Sequence, residues 1–260
     1  GLSLPERAWG VVRRWALAWW RILYLGAVVC VLVLSPSSYG KVTRRALARH
    51  LYLDTAPVLL GFTVLAALIS LVLTRIVVVT AISYGLSRYA LEMVIRVLVL
   101  ELIPLTAALF VAMRCTIPNG TQLALLRQSG HLARLSHAGA DPIRVELLPR
   151  AVAGVFACIT LAALSCVVAL VLAYLGVYGF SLAGLPSYTR MFGHVFAPAV
   201  TLVFVIKTVL FSLAVALIPM AAGLYDTGER TQPDSELGGL ARMFAVLLLI
   251  EIGSLVGNYY

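Results

Sequence analysis

The chain has 260 residues, 62% of them hydrophobic and only 12% charged, with a mean hydropathy of +0.99. That leaves too little polar surface to cover a water-soluble globule of this length, so a soluble domain is excluded and lipid must solvate much of the outside. The net charge of +9 would suit nucleic acid, but the basic residues bracket apolar runs and form no stripe with interleaved aromatics; this excludes a nucleic-acid partner and points to headgroups and a cytoplasmic face.

The first segment, residues 6–34, has two halves. Arg7, Arg14 and Arg21 recur at a seven-residue interval and fall close to one line of a helix, while Trp9, Val12, Ala16, Trp19, Trp20 and Leu23 fill much of the remainder. The apolar run 22–34 is about 13 residues, about 20 Å of helix, short of the roughly 20 residues a span needs. It reads as an interfacial or re-entrant element. A cleaved signal peptide is the competing reading, although the Trp-rich basic region is long for one and no small-residue cleavage pattern is clear. After a turn at 35–40, Lys41, Arg44, Arg45 and Arg49 extend the interfacial amphipathic region over residues 1–50.

Five spans follow, at 57–82, 89–113, 151–178, 195–224 and 240–256. The first contains Arg75, the fourth Lys207 and the last Glu251. The third is almost free of charge and gives the strongest hydropathy signal. Residues 179–194, with Pro186, Tyr188 and Arg190, read as an extracytoplasmic connection with some helix. About eight Lys or Arg lie in the amino-terminal region and five in the connection from Arg114 to Arg150, against one each at the turns of Arg88 and Arg190. The amino terminus and the central connection are therefore placed in the cytoplasm, and the acidic stretch 225–239 falls on the same side. No internal repeat is present, so the inverted-repeat plan of many secondary transporters has no support.

No constellation for covalent chemistry emerges. Cys30, Cys115, Cys158 and Cys166 lie in or beside apolar runs without metal spacing and read as packed thiols. His131 and His137 lack the spacing and the glutamate of a zinc helix and read as solvated, so no metal site is expected. No GxxxxGK[ST] loop occurs; if ATP drives this protein, ATP and its magnesium are bound by another chain, and this one carries no cofactor. In the central segment 118–148, Leu123, Leu126, Gly130, Ala133 and His137 oppose Arg127, Arg134 and Ser136, predicting one short amphipathic helix closed by Gly139 and by Pro142 with Asp141 before it. Such a helix suits a membrane surface and a protein partner equally.

Ionisable groups within spans are expensive, at about 2.5 to 3.5 kcal/mol each on insertion scales, so Arg75, Arg96, Glu101, Lys207 and Glu251 need partners, water or a route to the interface. Glu92 and Arg96 lie four apart and can pair. Arg75, Arg96 and Lys207 have stems long enough to snorkel, whereas Glu101 does not; it must pair with a basic group on another span or line a wet cavity.

Read as ELIPLTAALFVAMR and then RQSGHLARLSHAGADPIRVELLPRAVAG, residues 101–114 and 127–154 resemble the central signature of the MlaE/YrbE permease family. Glu101, Pro104, Arg114, Leu135, Gly139, Asp141, Pro142, Pro149, Arg150 and Gly154 carry the match. The resemblance implies an all-α integral membrane permease of about this length, the membrane subunit of an ABC transporter that works with MCE proteins to move lipid between bacterial membranes. It further implies a multi-pass inner-membrane location, a partner ABC ATPase, a periplasmic MCE-domain protein, and a second permease copy or paralogue enclosing a lipid cavity. Under it Glu101, with Lys207 and Arg75, becomes the intramembrane charge of that cavity. Arg127, His131, Arg134, Leu135, Gly139, Asp141 and Pro142 belong to the coupling helix that sits in a groove of the ATPase; Pro104, Arg114, Pro149 and Arg150 are structural motif positions. The coupling segment departs from the family, placing Gly130, His131 and Ser136 where acids and an amide usually fall and Gln122 for another glutamate, which makes it basic.

Phospholipid is the first-choice cargo. Two other classes remain: a non-transporting scaffold or degenerate partner subunit of such a complex, favoured by the altered coupling segment, and an ion-coupled carrier using Glu101 and Lys207.

Overall fold

The structure is a computed structural model that describes residues 4–225 and 233–260. Among these, every regular element is helical. In chain order they are α1 (Leu4–Leu34), α2 (Lys41–Ser83), α3 (Ala90–Val94), α4 (Ile103–Val111), α5 (Ile117–Gln128), α6 (His131–His137), α7 (Leu148–Tyr178), α8 (Leu185–Val195), α9 (Pro198–Tyr225) and α10 (Pro233–Tyr259).

Three π-helical stretches, Ile95–Leu102, Ala112–Thr116 and Ile143–Leu147, weld neighbouring helices into longer rods. Ala90–Gln128 thus runs as one helical rod, and Ile143–Tyr178 as another. Each π stretch is followed at once by a proline in the first turn of the next helix: Pro104, Pro118 and Pro149. A proline has no N–H to give, and its ring collides with the carbonyl four residues back. Widening the preceding turn moves that carbonyl aside, so the rod continues where a kink would otherwise form.

Six helices among the described residues are long and apolar enough to cross a membrane by length and composition. Five overlap the spans expected from the sequence. The sixth is α1, whose apolar half looked too short; the Arg- and Trp-bearing half continues the same helix, giving 31 residues without a break. Trp9, Trp15 and Trp20 on that first half are 60–72% exposed, and α1 meets the bundle through Leu25, Val29 and Leu32, which pack on Leu217, Met220 and Ala221 of α9. The rod expected to end near residue 113 continues to Gln128, because Asn119, Gly120 and Leu123 are buried and α5 packs along α9. The acidic connection at residues 226–232 lies outside the described residues.

α2 lies along α7, and α9 is flanked by α5, α7 and α10. The α7 face in these contacts is mostly small: Ala151, Ala153, Gly154, Ala157, Ala162, Ala169 and Ala173 are buried. In lipid there is no hydrophobic drive to bring helices together, and small side chains earn close packing by letting backbones approach. Cys115, Cys158 and Cys166 sit in the same core as small apolar groups. Leu60, Val64, Leu68, Val72 and Ile76 of α2 point outward, as a lipid-facing side requires.

Candidate functional site

The apolar middle of the bundle contains three charges. Lys207, midway along α9, has a side chain 1% exposed, and its Nζ donates to Glu101 Oε2 at 2.5 Å. Glu251 of α10 presents Oε2 at 3.5 Å from the same ammonium. Glu101 is carried by the π stretch before Pro104, so the wide turn and the acid coincide. Three separate rods thus converge on one ammonium. A lysine this deep does not snorkel; it is neutralised in place by the carboxylates beside it. Glu101 Oε1 is buried without a hydrogen-bond partner among the described residues. Removing one member of such a buried group costs far more than removing the whole, because an uncompensated charge remains.

Arg75 does not join this group. It lies exposed on α2, and no ion pair reaches it among the described residues. Its long stem is free to reach an interface, unlike the short acids. Arg96 pairs with Glu92 as the spacing predicted, Nε to Oε1 at 3.1 Å.

At the end of the bundle nearer α6, helices touch backbone to backbone. A Cβ added to Gly223 on α9 would lie 2.1 Å from the carbonyl oxygen of Gly120 on α5, and one added to Gly120 would lie 2.5 Å from the carbonyl oxygen of Pro219. Gly154 on α7 sits against Thr116 and Ala216, where a Cβ would be 2.9 Å from the threonine methyl. The rod leading to α6 is therefore keyed to both α7 and α9. Beside the crossing, Asn119 Nδ2 donates to Asp54 Oδ2 at 3.0 Å, and Cys115 Sγ donates to the Asp54 carbonyl at 3.0 Å, tying α2 to the same rod.

The single amphipathic helix expected over 123–137 is two. Gly130 adopts φ +75°, a left-handed conformation that ends α5 and starts α6, because a helix cannot propagate through it. Leu123 belongs to the buried base of the bundle, while α6 carries no buried residue. Gly139, at φ +81°, closes α6 as expected, and the next amide, Ala140 N–H, donates to the Leu135 carbonyl at 2.9 Å, satisfying a terminal carbonyl. Asp141 and Pro142 start the following helix: Asp141 Oδ1 accepts from Ile143 N–H at 3.1 Å and Pro142 occupies the position where no amide is needed.

His131, read from sequence as solvated, is partly exposed and also forms a bridge. Its Nε2 is 3.3 Å from Glu146 Oε1, and Glu146 Oε2 accepts from Arg150 Nη1 at 2.7 Å. Arg150 also donates to the Glu146 carbonyl at 2.6 Å and is 9% exposed. A chain of polar contacts thus runs from α6 to the first turn of α7. Arg134 and Arg114 are exposed, Arg127 and Leu135 half-buried, and Pro104 and Pro149 buried.

Sequence reasoning missed Glu146, Asp54, Asn119, Gly120 and Gly223. Glu146 was findable as the acid four residues before Arg150, and Asp54 as the only acid between the basic stretch and the first span. The glycine contacts had no signal, since they depend on which helices cross. No group of three His, Cys, Asp or Glu among the described residues could hold a metal ion.

The permease family described as Permease MlaE matches residues 47–255, which include the triad, the glycine crossing and the polar bridge. No individual curated protein matches the chain. The chain belongs to the MlaE permease family; it is a multi-pass membrane protein and the permease of an ABC-type transporter.

Proposed function

We propose that this MlaE-family permease is the transport subunit of an ATP-driven, MCE-associated lipid transporter of the bacterial inner membrane, with phospholipid as cargo. A separate ABC ATPase supplies ATP and magnesium, a periplasmic MCE-domain protein receives or delivers lipid, and a second permease copy or paralogue completes the cavity. The chain contributes no covalent chemistry. It changes the exposure of an apolar cavity as its helices move.

The observation that supports this reading best is the polar bridge from α6 through His131 and Glu146 to Arg150. It gives a cytoplasmic helix a mechanical hold on α7, and the glycine crossing passes the same motion to α9 and its buried lysine. An ATPase docked on α6, with Arg127, Arg134 and Leu135 at the contact, has a route to the middle of the bundle.

The test is purification from the native host with identification of partners, then reconstitution of the complex in vesicles. ATP-dependent movement of labelled phospholipid is expected. Loss of movement should be greater for Glu101→Ala than for Arg75→Ala, because the first leaves Lys207 short of a counter-ion and the second removes an exposed stem. Equal activity of both variants would remove the triad from the transport path. The basic α6 favours a second reading, a non-transporting scaffold; it predicts MCE association without ATP-dependent lipid movement.

A further inference from the structure

A shallow, open depression of about 490 Å³ lies at the other end of the bundle, lined by Leu86, Tyr89, Glu92, Met93, Arg96 and His194. Its size suits a small ligand group. Two features set its chemistry. Glu92 and Arg96 stand side by side, 27% and 26% exposed, so opposite charges are reachable from one opening. Leu86 and Met93 supply an apolar wall beside them. By the basic-residue orientation, Tyr89 opens its rod on the outer side, and Arg96 lies about 10 Å further along the axis. That depth is where headgroups meet acyl chains.

We infer that this depression binds the headgroup of a phospholipid that carries both a phosphate and a primary ammonium. The inference rests on the lipid-permease reading above. Arg96 and the His194 ring face the phosphate, and Glu92 takes the ammonium. Binding exchanges the internal ion pair for two charge-assisted contacts with the ligand. A purely anionic headgroup would draw Arg96 to its phosphate and leave Glu92 without the ammonium that replaces its partner. A choline headgroup offers no N–H to the carboxylate and favours an aromatic face. The nearby ring of Tyr89 is already covered, with the Arg88 guanidinium 4.6 Å from its centroid.

The full-length protein in detergent, exposed to equimolar phosphatidylethanolamine, phosphatidylcholine and phosphatidylglycerol, should retain the first about tenfold over each of the others by native mass spectrometry. Glu92→Gln should abolish the preference over phosphatidylglycerol, and Arg96→Gln should weaken retention of all three. Met93→Trp fills the depression while keeping both charges, and should lower retention of all three with the elution profile and helical content unchanged. Equal retention of the three lipids by the unaltered protein, an unaltered preference in Glu92→Gln, or unaltered retention in Met93→Trp overturns the inference. This readout needs no ATPase. Selectivity without ATP-driven lipid movement in the reconstituted complex supports the site while removing the transport reading, whereas movement without selectivity removes the site alone.

Discussion

Gly223→Ala tests whether α9 and α5 meet main chain to main chain. The new methyl carbon would lie 2.1 Å from the Gly120 carbonyl oxygen and 2.8 Å from its carbon. A carbon resting on a carbonyl oxygen needs about 3.3 Å, so the two helices must part locally by about 1.2 Å. No rotamer change relieves the clash, because both obstacles are backbone. Overpacking of this kind costs about 1–3 kcal/mol, and the absence of a flexible neighbour puts Gly223 near the top of that range. Alanine recovers up to about 1 kcal/mol of helix propensity, leaving a net loss of about 2 kcal/mol. The assay is denaturant unfolding in a fixed micelle, with Gly61→Ala as reference, since a Cβ there meets nothing within 4 Å. Gly61→Ala should be neutral or stabilising. If Gly223→Ala unfolds at the same denaturant concentration as Gly61→Ala, the helices do not cross as described.

Lys207→Met should destabilise the protein by about 3–5 kcal/mol in the same assay by leaving Glu101 and Glu251 buried without their counter-ion, and adding Glu101→Gln with Glu251→Gln should recover much of that loss. An equal loss in the single and triple variants would mean that the ammonium does not hold the carboxylates. Arg127→Glu with Arg134→Glu should abolish copurification with the ATPase while membrane insertion persists, because Arg127 lies in the last turn of its rod and Arg134 beyond it; coupled activity in the double variant would exclude the basic face of this segment as the docking surface. Single cysteines at Ser136 and Ser187, in a background lacking the native thiols, should show protection of the first and labelling of the second by an impermeant reagent on intact cells, and the reverse pattern would invert the orientation.

The spans were legible because the cost of a polar group in lipid writes itself directly into composition. The family signature likewise lay in contiguous sequence, and the local partners Glu92 and Arg96 followed from helical spacing. What sequence left open was pairing over distance. Glu101 and Lys207 were each recognisable as costly, yet nothing in their spacing joined two residues 106 positions apart. The break at Gly130 was hidden for a different reason: a glycine is tolerated within a helix as well as at its end, and only the positive φ distinguishes the two. In the first helix an amphipathic half and an apolar half were weighed separately, although the backbone runs through both as one helix of 31 residues.

The wide turns before Pro104, Pro118 and Pro149 give the bundle a kind of slack that ordinary helices lack. An i→i+5 turn holds one residue more than an α turn, which corresponds to about 100° of azimuth. Moving such a turn along a rod rotates the residues it passes and leaves the segments beyond it hydrogen-bonded. Glu101 and Glu146 both sit within wide turns, one against the buried ammonium and the other on the bridge to α6. The buried ammonium and the bridge to α6 are thus each held where a helix can change register without melting.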